Sequence, residues 1–380
     1  MFSLHTVGAW SQAKPAGPPP DVMVFTNGDQ LTGTLEKAIG NSYTFKSDVV
    51  GEVTVTADKI KELRANGNYV VLKKGEVVQR VARPGGTLAA DSTSVTVSPA
   101  SSSSQTISVK DIEDVIDTAT YNKEVMGNPG PLHGWKGGFT AGVTDVQATQ
   151  YGETFTLAAN LIRAIPSVDF LPPRTRSTVN VLETYGKLTQ PTIPQTNPPT
   201  PNAVAKTSIF HADAEHDKYL NQKLYVLGDV SFDHNFSQGL DFQQIYGVGL
   251  GATVIKDAKQ ELDVKADVHY EHQSFIPPVQ IPNQPLLPAS PSLDLIGSSF
   301  AETYHRDLPA KFILTESGTI IPAWNNLNAY SGIGMVGLQF PVYHRFSFST
   351  SLTDNFLNNP AFGYQKNSFQ FVMGATYTLP

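Results

Sequence analysis

Two groups of histidine and acidic residues are spaced so that their side chains share one face of a β-strand. The first group is His211, Asp213 and Glu215, and the second is Asp267, His269 and Glu271. Imidazole and carboxylate groups are ligands that zinc and calcium use in proteins, so a metal site is one interpretation. Neighbours on one strand face lie about 6–7 Å apart, which is too far for all three to bind one ion. We therefore predict no metal site and no cofactor.

A serine–histidine pair that acts on lipid is the second chemical possibility. His234 falls on the apolar side of its segment, where the base of such a pair would lie, and serine is abundant. No serine has the glycine-flanked context of a nucleophile elbow. His234, beside Phe232 and Phe236, is more simply an interfacial residue. We predict no catalytic residues and a protein that is not an enzyme, with a lipid-active or metal-dependent enzyme as the alternative.

The segments that carry these residues alternate between apolar and polar side chains, which is the pattern of extended strands. Residues 206–218, 222–236 and 259–275 are the clearest cases. Acidic side chains outnumber Lys223 and Lys265 on the polar faces, so strands that enclose a lumen would make it electronegative. A second interpretation is that these charges pair with one another and fill a narrow barrel. The predicted lumen-lining residues are His211, Asp213, Glu215, Asp229, Asp233, Asp263, Asp267, His269 and Glu271.

The opposite faces of the alternating segments are apolar and rich in aromatic residues. The predicted lipid-facing residues are Phe210, Phe232, Phe236, Phe369, Phe371 and Tyr377. A Lys or Arg on the lipid face near the middle of a membrane costs about 2–4 kcal/mol, so a membrane barrel would show this segregation. A soluble β-sandwich that binds a ligand would show it too, because its apolar face packs against a second sheet.

The number and length of the predicted strands favour the membrane barrel over the sandwich. Twelve strands of up to seventeen residues are predicted, an even number as in bacterial barrels. The longest proline-rich connections, 191–201 and 277–291, both follow odd-numbered strands, whereas the short connections at 256–258 and 342–344 follow even-numbered ones. The predicted strands are 134–147, 151–164, 176–188, 206–218, 222–236, 240–255, 259–275, 298–308, 310–323, 327–340, 343–354 and 367–379.

The N-terminal third of the chain reads as a duplicated β unit. The segment Val70–Val78 resembles Val24–Leu31, and Ser108–Val115 resembles Thr56–Leu63. Repetition of a unit of about 50 residues predicts a tandem module of small SH3-like or Sm-like barrels. Asn27-Gly28 is predicted to form a tight turn, because this pair tolerates positive φ.

Composition excludes several classes of function. The chain of 380 residues has no cysteine, which removes disulfides, thiolate zinc sites and thiol nucleophiles. The net charge of −7 without a basic run argues against a nucleic-acid partner. We predict four regions: a disordered or remnant signal segment at 1–20, the tandem module at 21–120, a linker at 121–133 and the barrel at 134–380.

The last part of the chain resembles a known family. Its features are the segment Leu352–Pro360 with its Asn-Asn-Pro turn, the residues Gly363–Asn367, and a closing strand. Together with Gly134–Phe139 as a first strand, they resemble the bacterial salt-induced outer-membrane protein family (YdiY-like, of unknown function) over about residues 134–380. The resemblance implies an all-β chain with a C-terminal antiparallel transmembrane β-barrel of about twelve strands, preceded by the tandem module.

The resemblance also implies a location and partners. We expect the barrel in the bacterial outer membrane, in contact with lipid and inserted by the barrel assembly machinery. The module at 21–120 is expected in the periplasm, where a partner could bind it. The expected role is a non-enzymatic envelope or stress protein, or a narrow pore that weakly prefers cations.

Overall fold

The computed structural model describes residues 19–76, 78–147, 151–168, 170–190, 203–277 and 288–379. The chain forms two compact units, residues 1–127 and 128–380. The predicted segment 1–20 and the two long predicted connections lie wholly or mostly outside the described residues. Among the residues described, no helix has the length and apolar character needed to cross a membrane.

The first unit is a β module with one nine-stranded sheet. Its strands are β1 (Asp21–Phe25), β2 (Gln30–Ile39), β3 (Ser42–Ser47), β4 (Gly51–Thr56), β5 (Ile60–Lys73), β6 (Gly86–Ala90), β7 (Ser94–Pro99), β8 (Gln105–Ser108) and β9 (Ile112–Asp117). The turn predicted at Asn27-Gly28 joins β1 to β2, with Gly28 at φ +93°. A Cβ would be strained at that φ, so glycine suits the position.

The predicted duplication is visible in two matching 3-10 turns. Ala57–Lys59 leads into β5, and Val109–Asp111 leads into β9. The two halves do not form separate barrels, because β5 runs from the end of the first half directly into the start of the second. The halves also exchange partners: β9 pairs with β2 as well as β5, and β6 pairs with β5. One apolar core, including Met23 and Val115, therefore serves both halves.

The segment predicted as a linker begins with ordered structure. Residues Tyr121–Met126 form a helical turn, and Tyr121 and Val125 are buried within the first unit. The Tyr121 hydroxyl donates a hydrogen bond to the carbonyl of Val81 at 2.7 Å. The division between the units falls after Gly127, where glycine and proline follow in quick succession.

The second unit is a closed antiparallel barrel of twelve strands. They are β10 (Trp135–Gln147), β11 (Tyr151–Ile165), β12 (Thr175–Gln190), β13 (Ala203–Tyr219), β14 (Leu224–Asn235), β15 (Leu240–Lys256), β16 (Gln260–Phe275), β17 (Leu293–Asp307), β18 (Ile313–Pro322), β19 (Tyr330–Tyr343), β20 (Phe346–Leu357) and β21 (Asn367–Thr378). The predicted number of strands and the all-β fold class are confirmed.

Pairing of the first and last strands closes the barrel. Their register runs from Gly138 opposite Thr378 to Ala141 opposite Ala375. An open pair of stacked sheets, the arrangement of a soluble sandwich, is therefore excluded. The largest boundary difference is at the start of β17, which begins at Leu293 instead of residue 298, and β19 and β20 each lie three residues later than predicted. Pro309 opens a 3-10 turn between β17 and β18, and Pro322 is the last residue of β18.

The barrel has two distinct ends, which we name by the chain termini of the unit. The near end is where β10 begins and β21 finishes, and the far end is opposite. Connections at the near end are mostly short, such as 257–259 and 344–345, whereas those at the far end include 191–202 and 276–292. The long connection 166–174 at the near end is the exception to this pattern.

Candidate functional site in the barrel interior

The predicted lumen-lining residues lie on the inward faces of β13, β14 and β16. Contacts between strands that are not neighbours identify this side as the interior. Lys265 of β16 pairs with Glu215 of β13, and Arg176 of β12 pairs with Asp263 of β16. Side chains of such distant strands can meet only across the inside of a closed barrel. Acidic residues dominate this face, where nine carboxylates of β13, β14 and β16 accompany Arg176 and Lys265 among the described residues.

A cluster around Arg176 occupies the near end of the interior. The Arg176 side chain is 10% exposed and donates hydrogen bonds to Asp217 Oδ2 at 2.7 Å and Asp263 Oδ2 at 2.5 Å. A third carboxylate, Glu261 Oε1, lies 3.3 Å from Nη1. The guanidinium therefore joins three strands, β12, β13 and β16, through charge-assisted hydrogen bonds.

Two tyrosines complete this cluster. The rings of Tyr219 and Tyr225 lie 5.1 Å apart, and the Arg176 guanidinium lies 5.8 Å and 5.0 Å from their respective centres. Both distances are within the range of cation–π attraction. Gly251 makes room for this packing, because a Cβ there would approach the Tyr225 ring to 2.2 Å.

We name this group the Arg176 box. Its members are Arg176, Asp217, Tyr219, Tyr225, Glu261 and Asp263. Asp217 is fully buried and Tyr225 is 1% exposed. Within the described part of the chain, Asp217 Oδ1 and the hydroxyls of Tyr219 and Tyr225 have no hydrogen-bond partner. Buried polar groups are nearly always hydrogen-bonded, so these three atoms can receive further polar contacts inside the box.

Above the box, a second level of the interior is organised around His211. Its Nδ1 lies 2.6 Å from Asp233 Oδ1, and its Nε2 lies 2.9 Å from Asp213 Oδ1. Asn180 donates to the same Asp213 carboxylate at 2.9 Å. Both ring nitrogens are thus directed at carboxylates, and neither is directed at a shared metal position.

A second histidine group lies on β16 and β17. His269 Nδ1 is 2.6 Å from Asp267 Oδ1, and the same carboxylate accepts hydrogen bonds from the amide and hydroxyl of Ser299. A hydrolytic relay needs the histidine between serine and carboxylate, whereas here the carboxylate lies between them. Glu271 accepts hydrogen bonds from Gln243 and Gln273 at 2.5 Å each. Over the residues described, no group of three His, Asp or Glu side chains could hold a metal ion.

His234, the base of the hypothetical lipid-active pair, has a structural contact. Its Nδ1 lies 2.7 Å from the backbone carbonyl of Asp241, on the strand that follows. A carbonyl oxygen only accepts hydrogen bonds, so Nδ1 must carry the proton. The resulting hydrogen bond links β14 to β15.

The predicted lipid-facing residues occupy the outward face, with one correction. Phe369 and Phe371 are 67% and 58% exposed, Tyr377 is 36% exposed, and Phe210 and Phe232 are half-buried. Phe236 does not lie on a strand, because β14 ends at Asn235 and Phe236 opens a 3-10 turn. Its ring packs edge-on against Tyr364 at 6.4 Å.

The outward face also carries carboxylates that the sequence pattern did not predict. Glu183, Glu302 and Glu316 share strand faces with exposed apolar residues such as Tyr185, Phe300 and Ile320. Glu302 borders a shallow outward hollow that is otherwise lined mainly by apolar residues, including Leu250 and Val264. In the middle of β13, β14 and β16, charged side chains are therefore confined to the inward face. On β12, β17 and β18, charged side chains also occur on the outward face.

Sequence reasoning missed the centre of the interior cluster. Arg176 is the first inward residue of β12, and Tyr219 and Tyr225 flank the turn between β13 and β14. A signal was present, since Arg176, Thr178 and Asn180 continue a period-two polar face. Nothing in the local pattern reveals that Arg176 meets Asp263, which is 87 residues away along the chain.

Several solved structures are similar to this chain at low identity. The NanC porin has 7% identity over 64% of this chain and all of its own, with a TM-score of 0.36. The translocator domain of autotransporter NalP from Neisseria meningitidis has 11% identity, coverage of 64% and 87%, and a TM-score of 0.33. The transport unit of the autotransporter AIDA-I from Escherichia coli has 12% identity, coverage of 69% and 97%, and a TM-score of 0.32. Likenesses this distant do not indicate a shared function.

Comparison with curated proteins found no match. Residues 189–379, just over half of the chain, match the family described as "Protein of unknown function, DUF481". The match lies within the barrel and supports the predicted relationship of the C-terminal region to a family of unknown function. This chain belongs to the DUF481 family of proteins of unknown function.

Proposed function

We propose that the barrel spans the bacterial outer membrane and forms a narrow channel that prefers cations. The two faces of its wall support the membrane location. Phe369, Phe371 and other apolar side chains are exposed on the outside, whereas the inward positions of β13 and β16 carry the charges. A closed barrel with an apolar exterior satisfies its backbone hydrogen bonds internally, as the interior of a membrane requires.

The interior charge is the observation that carries the channel proposal. Nine carboxylates on β13, β14 and β16 face three permanent cations, namely Arg176, Lys265 and Lys256, which lies 3.3 Å from Glu261 at the near end. An excess of negative charge along one wall attracts cations and repels anions. Several inward residues of β20 and β21 are small and polar, including Ser349, Ser351 and Thr376, and they suit the side of the lumen along which solutes pass.

The channel proposal is tested by the reversal potential of the full-length protein in planar bilayers. Under a potassium chloride gradient, we expect the sign that indicates potassium preference. Replacing both Asp213 and Asp229 by asparagine should reduce the preference without changing its sign. Preference for chloride would contradict the proposal.

A purely structural, stress-related barrel is the competing role, and the ion pairs across the interior favour it. Links such as Arg176–Asp263 and Lys265–Glu215 tie β12 and β13 to β16 and narrow the lumen. A protein that inserts into bilayers without measurable conductance would support this role. Folding of the barrel is measured independently by gel mobility, because folded barrels migrate faster than boiled ones.

The enzymatic alternative can be tested with the same preparation. Lipase activity that depends on calcium, or that is lost on His234→Ala, would favour a lipid-active enzyme. We expect neither, because within the described part of the chain no serine hydroxyl is hydrogen-bonded to His234, whose contact is with the backbone carbonyl of Asp241.

We further infer that the near end faces the periplasm, together with the N-terminal module, and that the barrel assembly machinery inserts the barrel. The chain enters the barrel at the near end, where the connections are mostly short, as periplasmic turns of such barrels are. Protease added to intact cells should then spare the module, and permeabilised cells should lose it. A module cleaved in intact cells would reverse this orientation.

A further inference from the structure

We propose that the Arg176 box is a recognition site for guanidinium cations and that Arg176 is its built-in occupant. This inference deepens the proposed channel function, on which it rests. It assigns planar guanidinium or amidinium compounds as the class of solute that the near end of the lumen binds. Such solutes would compete with the Arg176 side chain for the same carboxylates and rings.

The shape of the box is the first argument. Carboxylates reach the guanidinium from two sides: Asp217 bonds Nε at 2.7 Å, while Asp263 and Glu261 lie 2.5 Å and 3.3 Å from Nη1. The Tyr225 and Tyr219 rings cover the same cation at 5.0 Å and 5.8 Å. In-plane acceptors and aromatic rings match a planar, delocalised cation better than a compact ammonium ion, because only the planar group uses both kinds of contact.

The charge of the box is the second argument. Three carboxylates converge on one guanidinium, and Lys256 lies 3.3 Å from Glu261 alone. The box therefore holds an excess of negative charge in a buried position. Such an excess favours the entry of a cation, because carboxylates in a low-dielectric environment interact strongly with opposite charge.

The third argument is that three buried atoms of the box have no hydrogen-bond partner among the described residues: Asp217 Oδ1 and the hydroxyls of Tyr219 and Tyr225. Asp217 and Tyr225 are at most 1% exposed. Arg176 uses only one oxygen of Asp217. A free guanidinium ion has N–H groups on all sides, so it can satisfy acceptors that the tethered side chain leaves open.

Chemical rescue of Arg176→Ala tests the proposal. Removal of the side chain empties the box, which should lower the thermal stability of the barrel and raise its conductance. Guanidinium chloride at a non-denaturing concentration should reverse both changes. Methylammonium chloride at equal ionic strength should need an about tenfold higher concentration, because it lacks the forked donors that form paired hydrogen bonds.

Two further variants serve as controls. Arg306→Ala removes an exposed arginine on the outer face at the same end, so guanidinium should change neither its stability nor its conductance relative to wild type. Arg176→Ala combined with Asp263→Asn should lose the rescue, because the strongest acceptor is weakened. If Arg176→Ala fails to fold, Arg176→Lys serves instead, and guanidinium should stabilise it more than methylammonium does.

Equal rescue by both cations, or no rescue of a folded variant, would overturn the proposal. Stability measurements test the guanidinium site, whereas conductance measurements test the channel function. If no variant conducts, the channel function fails, while selective stabilisation by guanidinium would still establish the site. If the variants conduct without selective stabilisation, the site fails and the channel remains.

Discussion

The two sides of the barrel interior differ in how far their side chains reach. On β12 to β16, long charged groups connect strands that are not neighbours, as Arg176 of β12 does with Asp263 of β16. On β10, β20 and β21, the hydroxyl contacts between described side chains join adjacent strands. Thr140 lies 2.7 Å from Thr376, and Ser349 lies 2.8 Å from the same hydroxyl.

This difference explains how a wall with so many carboxylates can be stable. A buried charge is tolerated when partners satisfy it, and the charged side supplies them from several strands. The hydroxyl side, formed by β10, β20 and β21, has no such charges among the residues named. Its side-chain contacts join strands that are already paired through their backbones. The charged side therefore connects distant strands across the interior, whereas the contacts named on the hydroxyl side connect neighbouring strands.

The largest effect is expected on removing the charge that connects most strands. Arg176→Ala leaves Asp217, Asp263 and Glu261 facing one another, and loss of one partner of a buried ion pair costs about 3–5 kcal/mol. We expect this loss in urea unfolding of the refolded full-length barrel, followed by tryptophan fluorescence. The matched Arg306→Ala should stay within about 0.5 kcal/mol of wild type. Equal losses of stability in the two variants would contradict the conclusion that contacts across the barrel stabilise it most.

A buried carboxylate without partners shows the opposite case to the paired carboxylates of the charged side. Asp114 in the N-terminal module is 1% exposed, and neither of its oxygens has a partner among the described residues. Burial, with a smaller contribution from nearby Glu113, raises the pKa of Asp114 from 3.8 to about 7. The unfolded chain releases this proton at lower pH than the folded module does. The contribution of Asp114 to the stability of the module is therefore most favourable below about pH 4 and is lost as the pH rises to about 7.

The expected size of this loss is about 4 kcal/mol, since each pKa unit corresponds to 1.36 kcal/mol. Hydrogen exchange of β9 amides in the full-length protein, corrected for intrinsic rates, should show the decline between pH 4 and 7. Asp114→Asn should flatten it. A wild-type profile as flat as that of the variant would show that Asp114 has an unrecognised partner.

A smaller effect is expected at the second level of the charged wall. His211→Gln removes a ring held between Asp213 and Asp233, and hydrogen bonds to charged groups contribute about 1.5–3 kcal/mol. We expect a loss in this range in the same urea assay. His305→Gln is the control, because the side chain of His305 is 46% exposed and its one hydrogen bond to a described residue is with Asp307 at 3.2 Å. A larger loss for His305→Gln than for His211→Gln would contradict the interior network.

The smallest effect is expected on the hydroxyl side. Thr376→Val keeps the shape of the side chain and removes the hydroxyl that Thr140 and Ser349 contact. Ordinary hydrogen bonds contribute about 0.5–1.5 kcal/mol, so the barrel should lose about 1 kcal/mol. A loss as large as that of Arg176→Ala would show that the two sides contribute equally.

Much of the barrel could be predicted because its signals are local. Alternation assigns Phe369, Phe371 and Tyr377 to one face and Ser368, Gln370 and Thr376 to the other, and the structure has them so. Prolines and polar segments mark the connections, and these marks predict the number of strands. The matching segments before β5 and β9 likewise revealed the duplication, since both fold into the same 3-10 turn.

Local sequence patterns thus specify twelve strands, their two faces and a repeated N-terminal unit, because a period of two residues is a property of the backbone. The pairing of the charges depends instead on the three-dimensional fold. Closure and register of the barrel bring Arg176 to Asp263 and Lys265 to Glu215, and partner exchange merges the two halves of the module around one core. These contacts join residues that are far apart along the chain, so no local sequence pattern could predict them.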